Sequence, residues 1–150
     1  FEKEGKASVF QDSRGIVLRM LDTILFESGH AEIRPEAIET MSNIVAIIKP
    51  MSNPIRVEGH TDNVPIHTPV YPSNWELSAG RAISIVKWFA QEGLDPLRQE
   101  AVGYGEYRPV ASNDSPEERS KNRRVDIIIL NREASAYIPG AEIPGETVVQ

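Results

Sequence analysis

The segment 55–82, IRVEGHTDNVPIHTPVYPSNWELSAGRA, joins two elements of different periodicity. Its first six residues alternate apolar and polar side chains, which is the two-residue period of a half-buried strand. The tetrapeptide Ser73-Asn74-Trp75-Glu76 has the form of a capping box, in which a serine hydroxyl and a glutamate carboxylate satisfy free backbone N–H groups at a helix start. The segment therefore predicts a strand, a proline-punctuated loop and then a helix.

The flanking sequence continues this alternation of strands and helices. Apolar residues recur at helical spacing over 35–49, and a proline at position 50 ends that helix. Segments 16–21, 100–109 and 124–130 have strand composition, and a second capping box at 115–118 predicts a short helix before the last strand. Gly93 provides a stop for the helix that begins after position 73. The expected buried face of that helix is formed by Trp75, Ala82, Ile85, Val86 and Phe89.

This order of elements predicts an α/β (α+β) two-layer sandwich, with helices covering one face of a mixed four-stranded sheet. The expected domain covers residues 16–132. Residues 1–15 are polar and poorly periodic, which indicates a linker or a marginal edge element. Residues 133–150 lack periodicity, and we expect an extension without a core of its own.

Length and charge narrow the classes of function. A chain of 150 residues suits one domain. Its net charge of −6 disfavours nucleic acid as a partner, because phosphate binding needs clustered lysine and arginine. No cysteine is present, so a disulfide or a thiolate metal site is excluded. The sequence shows neither an apolar run long enough to span a membrane nor a signal peptide, and a start at Phe1 rather than Met indicates a fragment.

Metal binding is the first chemistry to weigh, because His60, Asp62 and His67 are all potential zinc ligands. Their spacing disfavours it. His60 and Asp62 lie across a strand end, whereas His67 lies in a loop without fixed register to that strand. We therefore expect no metal and no cofactor, and expect both histidines to make ordinary hydrogen bonds.

Catalytic arrangements are weakly supported. Ser73 is better explained as a helix cap than as a nucleophile, and neither it nor Ser78 lies in a Gly-x-Ser-x-Gly turn. A carboxylate pair built from two of Glu58, Asp62 and Glu106 stays open, without a sign of a raised pKa. Gly103 and Gly105 precede neither a long helix nor a Walker lysine, so they indicate a tight strand end rather than a phosphate cradle.

The remaining class of function is the binding of a charged ligand. Asp62 should follow the carboxyl end of a strand, where ligand sites of α/β sheets are often found, and Arg81 lies two turns into the next helix. Two alternatives are open: a buried Asp62–Arg81 ion pair that ties the loop to the helix, or a pocket in which the two charges hold a zwitterion. In the second, Arg81 binds a carboxylate and Asp62 an ammonium, and Asn74 adds an amide at the helix start.

Four ordered motifs resemble the OmpA-like peptidoglycan-binding domain: GHTD (59–62), NWELSAGRA (74–82), GYGEYRP (103–109) and NRRVDI (122–127). The resemblance covers about 16–130. Within the family, GHTDNVPI followed by a longer proline-rich loop is similar to the MotB type, a flagellar stator subunit. Gly80 stands where the family often has alanine.

The resemblance implies a non-enzymatic domain of the periplasm that binds the diaminopimelate end of a peptidoglycan stem peptide. By position, the family's ligand-binding residues are Asp62 and Arg81, with Thr61, Asn74, Asn122 and Arg123 in or beside the pocket. MotB-type proteins also imply a homodimer and a single inner-membrane helix that pairs with MotA. The alternatives are a wall anchor of an outer-membrane protein or lipoprotein and, from another class, a peptidoglycan amidase or hydrolase.

Overall fold

A computed structural model describes residues 7–131. This part of the chain contains a five-stranded sheet and four α-helices. A 3-10 turn precedes α2 at Pro35–Ala37, and another precedes β4 at Pro96–Arg98. In chain order the elements are β1 (Ala7–Asp12), β2 (Gly15–Leu21), α1 (Asp22–Leu25), α2 (Ile38–Ile48), β3 (Ile55–His60), α3 (Asn74–Gln91), β4 (Gln99–Gly103), α4 (Pro116–Asn122) and β5 (Arg124–Leu130).

The strand order across the sheet is β1-β2-β5-β3-β4. Strands β3 and β4 are parallel, and the other neighbouring pairs are antiparallel, so the predicted mixed sheet is confirmed. The central strand β5, with the sequence RVDIIIL, is buried at all seven positions. Its apolar run is what a strand between two neighbours and two covered faces requires.

Strand β1 makes the sheet one strand larger than the four predicted. It pairs with β2 along the edge of the sheet, so residues 7–12 form the edge element that the sequence left open beside a linker. Only Ala7 of the strand is fully buried, and this partial burial explains the weak alternation in its sequence. Residues 1–6 and the expected extension at 133–150 lie outside the described residues.

Helices α2 and α3 pack on one face of the sheet, as predicted. The apolar face of α2, predicted from its helical spacing, meets the sheet residues that point toward it. Among residues 7–131, no helix is long and apolar enough to cross a membrane. The main core cluster includes Met41, Ile44 and Ile48 of α2, Ala82, Ile85 and Phe89 of α3, and Ile55, Val57, Val125 and Ile127 of the sheet.

Two glycines bring α3 against the end of the sheet. Gly59 and Gly103 are register partners on the parallel strands β3 and β4. A Cβ on Gly59 would overlap the carbonyl oxygen of Ser78, and one on Gly103 would overlap the backbone of Ala79. The glycines of the GHTD and GYGEYRP motifs therefore allow a close helix–sheet contact, not a phosphate cradle.

The predicted Ser73 cap and Gly93 stop of α3 are confirmed, whereas the Glu76 carboxylate accepts from the Ser73 hydroxyl rather than from a backbone N–H. The Ser73 hydroxyl accepts a hydrogen bond from the Trp75 N–H at 3.2 Å and contacts the Glu76 carboxylate, and Gly93 follows the helix with φ of +97°. The expected burial of Trp75 is wrong. Its residue is 50% exposed, and its ring stacks on Tyr107 with centroids 5.0 Å apart, because position 75 faces the loop after β4 rather than the core.

Candidate functional site

A cleft lies at the end of the sheet where β2 and β3 finish and β5 begins. Strand β5 runs antiparallel to both of its neighbours, and its first residue, Arg124, pairs in register with the last residue of β2 and of β3. Asp22 follows β2, Asp62 lies just past β3, and Arg123 precedes β5. Antiparallel pairing thus brings these three charges to the same edge.

The cleft has a volume of about 490 Å³. Its walls come from the segment after β2, the loop after β3, the start of α3 and helix α4. Its polar and charged lining includes Asp22, Thr61, Asp62, Asn74, Arg81 and Arg123. Pro65 and Ile66 of the proline-rich loop also line it.

The charges of the cleft alternate in sign along a chain of ion pairs. Arg81 Nη1 lies 2.9 Å from Asp22 Oδ2, Arg123 Nε lies 3.8 Å from Asp22 Oδ1, and Arg123 Nη1 lies 2.7 Å from Asp62 Oδ2. The side chains of Asp22 and Asp62 are 9% and 10% exposed. Buried carboxylates need such partners, since an unpaired buried charge is strongly unfavourable.

Arg81 is held from several sides. Its Nε donates to the carbonyl oxygen of His30 at 2.8 Å and its Nη2 to that of Glu27 at 3.2 Å, while the guanidinium lies over the Phe26 ring. A guanidinium carries five N–H donors. Three are directed to these two carbonyls and to Asp22, which leaves two N–H groups of Arg81 without a hydrogen bond to residues 7–131.

The first of the two alternatives, a buried Asp62–Arg81 ion pair, is not formed. Asp22 takes the place of Asp62 as the partner of Arg81, and Arg123 is the partner of Asp62. Both charges still line the same cleft, as the pocket alternative requires. Their ion partners are Asp22 and Arg123 rather than each other. Asp22 was missed because only the pairing of β2 with β5 carries it to this edge.

The loop around Asp62 is tied to α3 by backbone contacts. The carboxylate accepts a hydrogen bond from the Val64 N–H at 3.0 Å, and the hydroxyl of Thr61 donates to the Asp62 carbonyl at 2.8 Å. Asn74 Nδ2 donates to the carbonyls of Asp62 and Val64 at 3.3 and 3.0 Å. Thr61, Asp62 and Asn74 are therefore brought together as the resemblance implied.

Asn122 does not line the cleft. Its side chain is fully buried, and its Oδ1 accepts from the N–H groups of Val110 and Ala111 while its Nδ2 donates to the Ala111 carbonyl and to Asn113. These four bonds use the full capacity of the amide. Asn122 holds the 110–113 loop, and it positions Arg123 from the residue before it.

Comparison with known proteins assigns this arrangement to a family. The sequence profile of the OmpA family matches residues 25–123. The chain belongs to the OmpA family. Motility protein B of Bacillus subtilis is 43% identical over 127 residues, which are 82% of this chain and 48% of that protein. The chain therefore spans about half the length of this relative.

Two solved structures of the same fold are similar to this OmpA-family domain. One is the cell wall anchor of the T6SS from Pseudomonas aeruginosa, with a TM-score of 0.80, 34% identity, and coverage of 85% of this chain and 90% of that one. The other is the periplasmic domain of Helicobacter pylori MotB, with a TM-score of 0.77, 31% identity, and coverage of 84% and 82%. The recognition of an OmpA-like, MotB-type chain is thus confirmed.

The two histidines of the opening segment lie away from Asp62 in this OmpA-family domain. His60 points to the other face of the sheet, where its Nε2 lies 3.3 Å from Glu58 Oε1 and 3.9 Å from Asp126 Oδ2. His67 is exposed in the loop, with its Nδ1 3.2 Å from the Pro72 carbonyl. The set of His60, Asp62 and His67 therefore does not converge.

Glu58, His60 and Asp126 are close enough to hold a metal ion and are all buried. Both carboxylates are already paired with arginines. Arg19 donates one hydrogen bond to each oxygen of Asp126 at 2.9 Å, and Arg14 lies 3.2 Å from Glu58. Such pairs neutralise the charge that would attract a cation. This cluster of the OmpA-family domain is an ion-pair network on the sheet.

Burial lowers the pKa of His60, and the nearby Arg124 lowers it further, while the hydrogen bond to Glu58 acts in the opposite direction. The imidazole stacks on Tyr104 at 5.2 Å. His60 is thus a buried structural neighbour of the OmpA-family cleft, which agrees with its expected role in ordinary contacts.

Among residues 7–131, neither the two serines nor the Glu58–Asp62 pair forms the catalytic arrangement that was weighed from the sequence. Ser73 caps α3, and the Ser78 hydroxyl is buried between the Trp75 carbonyl, to which it donates, and the Gly105 N–H, from which it accepts. The carboxylates of Glu58 and Asp62 are on different faces, one with Arg14 and the other with Arg123. A working carboxylate pair needs both groups at one reacting atom.

Proposed function

We propose that this domain binds peptidoglycan without cutting it, by holding the diaminopimelate end of a stem peptide. The observation that carries the proposal is a single cleft that is lined by both an acid, Asp62, and an arginine, Arg81. The free end of diaminopimelate bears an ammonium and a carboxylate on one carbon atom. A site for such a zwitterion needs one acid and one planar cation at short range, each hydrogen-bonded to its ligand group.

Arg123 has a part in the proposed binding step. Its Nη1 lies 2.7 Å from Asp62 Oδ2, and its side chain is 34% exposed. The Arg123 guanidinium therefore lies where a ligand ammonium would bind. The ligand ammonium replaces Arg123 as the partner of Asp62. The released guanidinium of Arg123 and the two remaining N–H groups of Arg81 then donate to the ligand carboxylate. The first turn of α3 beside Asn74 supports that negative charge.

Co-sedimentation with purified diaminopimelate-type peptidoglycan tests the proposal. The unsubstituted protein should pellet, Asp62→Asn should stay in the supernatant, and free stem peptide should release bound protein. Glu92→Gln is the matched control, since it removes an exposed carboxylate beyond the far end of α3. Lysine-type peptidoglycan, which lacks the side-chain carboxylate, should bind more weakly. Undiminished pelleting of folded Asp62→Asn would overturn the assignment of the cleft.

At the level of the whole protein, we propose a flagellar stator subunit of the MotB type. The support is the 43% identity to Motility protein B and the likeness to a MotB periplasmic domain. The proposal includes a periplasmic location, a single helix in the inner membrane, a MotA-type partner and a homodimer. Deletion of the gene should abolish swimming in soft agar, and sedimentation equilibrium of the domain should give a dimer.

A wall anchor of another assembly is the second candidate, because the T6SS cell wall anchor has the same fold at 34% identity. Anchors of outer-membrane proteins and lipoproteins belong to this alternative. Normal swimming of the deletion strain together with a leaky envelope would favour it. Release of soluble fragments from purified walls, abolished by a chelator, would instead indicate an amidase or hydrolase.

A further inference from the structure

An aromatic pair stands exposed beside the cleft and has no part in the binding site described above. The rings of Trp75 and Tyr107 stack with centroids 5.0 Å apart and an interplanar angle of 23°. Trp75 is 50% exposed and Tyr107 is 55% exposed. Large aromatic residues that remain this exposed while holding each other in a fixed geometry are typical of recognition surfaces.

Two connections attach this pair to the cleft. Trp75 directly follows Asn74, whose amide binds the Asp62 and Val64 carbonyls, so the two Cα atoms are about 3.8 Å apart. On the other side, the Gly105 carbonyl accepts a hydrogen bond from the N–H of Thr61 at 2.9 Å. The pair is therefore rigidly placed relative to the charges that the proposed function assigns to the stem peptide.

The loop that carries Tyr107 is itself well held. Gly105 has a φ of +59° and donates its N–H to the buried Ser78 hydroxyl of α3 at 2.9 Å, and the Tyr107 N–H bonds to the Tyr104 carbonyl at 3.2 Å. A ligand that stacks here would not have to order the loop first, which lowers the entropic cost of binding.

We propose that Trp75 and Tyr107 form a stacking platform for a pyranose ring of the peptidoglycan glycan strand. This inference rests on the proposed function. The face of an aromatic ring carries partial negative charge, and the axial C–H groups of a pyranose are weakly positive and apolar. Such a ring packs flat on an indole or phenol, whereas its hydroxyl groups stay in water.

The length of a stem peptide fits this placement. Diaminopimelate is the third residue of the stem, which begins on the muramic acid of the glycan. Three extended residues reach on the order of 10 Å. Because Trp75 is the residue after Asn74, which lines the cleft, a stem of this length with its diaminopimelate end beside Asp62 and Asn74 can place its sugar at Trp75.

The test separates the sugar from the peptide by using two probes, peptide-free glycan strands and free stem tripeptide. The chain has two tryptophans, and Trp88→Phe leaves Trp75 as the sole indole reporter. In that background, glycan strands should shift the emission of Trp75. Tyr107→Ala should weaken glycan binding about 3- to 10-fold, which is the range of one aromatic contact, and should leave tripeptide affinity unchanged.

Matched variants complete the experiment. Leu97→Ala removes an apolar residue that is 90% exposed beyond the far end of α3, and it should change neither affinity. Trp75→Ala, measured by calorimetry, should lose glycan binding and retain the tripeptide. Asp62→Asn should do the reverse, which distinguishes failure of the platform from failure of the cleft.

Three results would overturn the platform. The first is an unchanged Trp75 emission on saturation with glycan strands. The second is equal glycan affinity of Trp75→Ala and the unsubstituted protein. The third is a change of oligomeric state in Trp75→Ala without a change in glycan affinity, which would assign the pair to contact between copies of the chain.

Discussion

Arg81 and Asp22 form a buried ion pair across 59 residues of sequence, with Nη1 and Oδ2 2.9 Å apart. Their side chains are only 4% and 9% exposed. The arginine of the α3 motif is therefore oriented by an acid at the end of β2 rather than by Asp62. This pair is part of the scaffold of the cleft as well as part of its wall.

Removal of Asp22 should destabilise the fold. Asp22→Ala leaves Arg81 charged and buried without its carboxylate, which typically costs about 3–5 kcal/mol. We expect that decrease in the free energy of unfolding measured by urea titration. Lys121→Ala is the control, because Lys121 belongs to an exposed pair with Glu118 and should cost less than about 1 kcal/mol. Equal effects of the two substitutions would show that the pair with Arg81 has no special weight.

The two motif glycines should tolerate no side chain. In Gly59→Ala or Gly103→Ala the new Cβ overlaps α3 backbone, so the helix must move away from the sheet, at a cost of about 1–3 kcal/mol or more. Thermal unfolding should show a clear decrease in Tm. The control is Gly80→Ala, whose Cβ meets side chains rather than backbone, Tyr71 at 3.2 Å and Ala31 at 3.7 Å, while alanine favours the helix, so we expect a change within about 1 kcal/mol.

The free energy of unfolding should decrease as the pH is lowered, because His60 is buried. Burial holds its pKa below the ordinary value of 6.5, so the unfolded chain takes up the proton first as the pH falls. The contribution of the neutral imidazole is complete above about pH 6.5 and is lost as the pH falls from there toward the lowered pKa of the folded state. Urea unfolding at pH 7.5 and 5.5 should show the decrease.

The matched variants for this pH effect are His60→Gln and His67→Gln. His60→Gln should reduce the difference in unfolding free energy between the two pH values, whereas His67→Gln leaves the buried imidazole of His60 in place and is the control. The charged neighbours of His60, namely Glu58, Asp126 and Arg124, are present in both variants. Identical pH dependence of His60→Gln and the unsubstituted protein would contradict the assignment.

Arg123 should matter for folding as well as for binding. Its guanidinium donates a 2.7 Å bond to the Asp62 carboxylate, whose side chain is only 10% exposed, so Arg123→Gln leaves that buried charge without its cation and should lower the free energy of unfolding by about 1–3 kcal/mol. Its affinity for stem peptide, measured by calorimetry, should fall about tenfold or more, since one charge-assisted hydrogen bond contributes about 1.5–3 kcal/mol. Lys87→Gln removes an exposed positive charge of α3 and serves as the control. Unchanged affinity of Arg123→Gln would exclude Arg123 from the ligand site.

Local signals in the sequence were sufficient for most of the fold. The predicted strand at 124–130 and the helix after the Ser73 cap both match the structure, because alternation and capping depend on residues a few positions apart. The same holds for the stop at Gly93. Asp62 and Asn74 could be placed in one pocket because one follows the end of β3 and the other begins α3, the next helix in the chain.

The remaining features depend on contacts between distant parts of the chain. The edge strand β1 is specified by its pairing with β2, and Trp75 is exposed because a loop after β4, not the core, receives its ring. Likewise, no local pattern marks Asp22 as the partner of Arg81.

Local patterns therefore specify most of the elements, the family and two opposite charges, Asp62 and Arg81, beside one loop. The pairing of those charges depends on the tertiary fold. The physical reason is the strand order β2-β5-β3, which places Asp22 and Arg123 between Arg81 and Asp62 and lets each buried charge find the nearest opposite one.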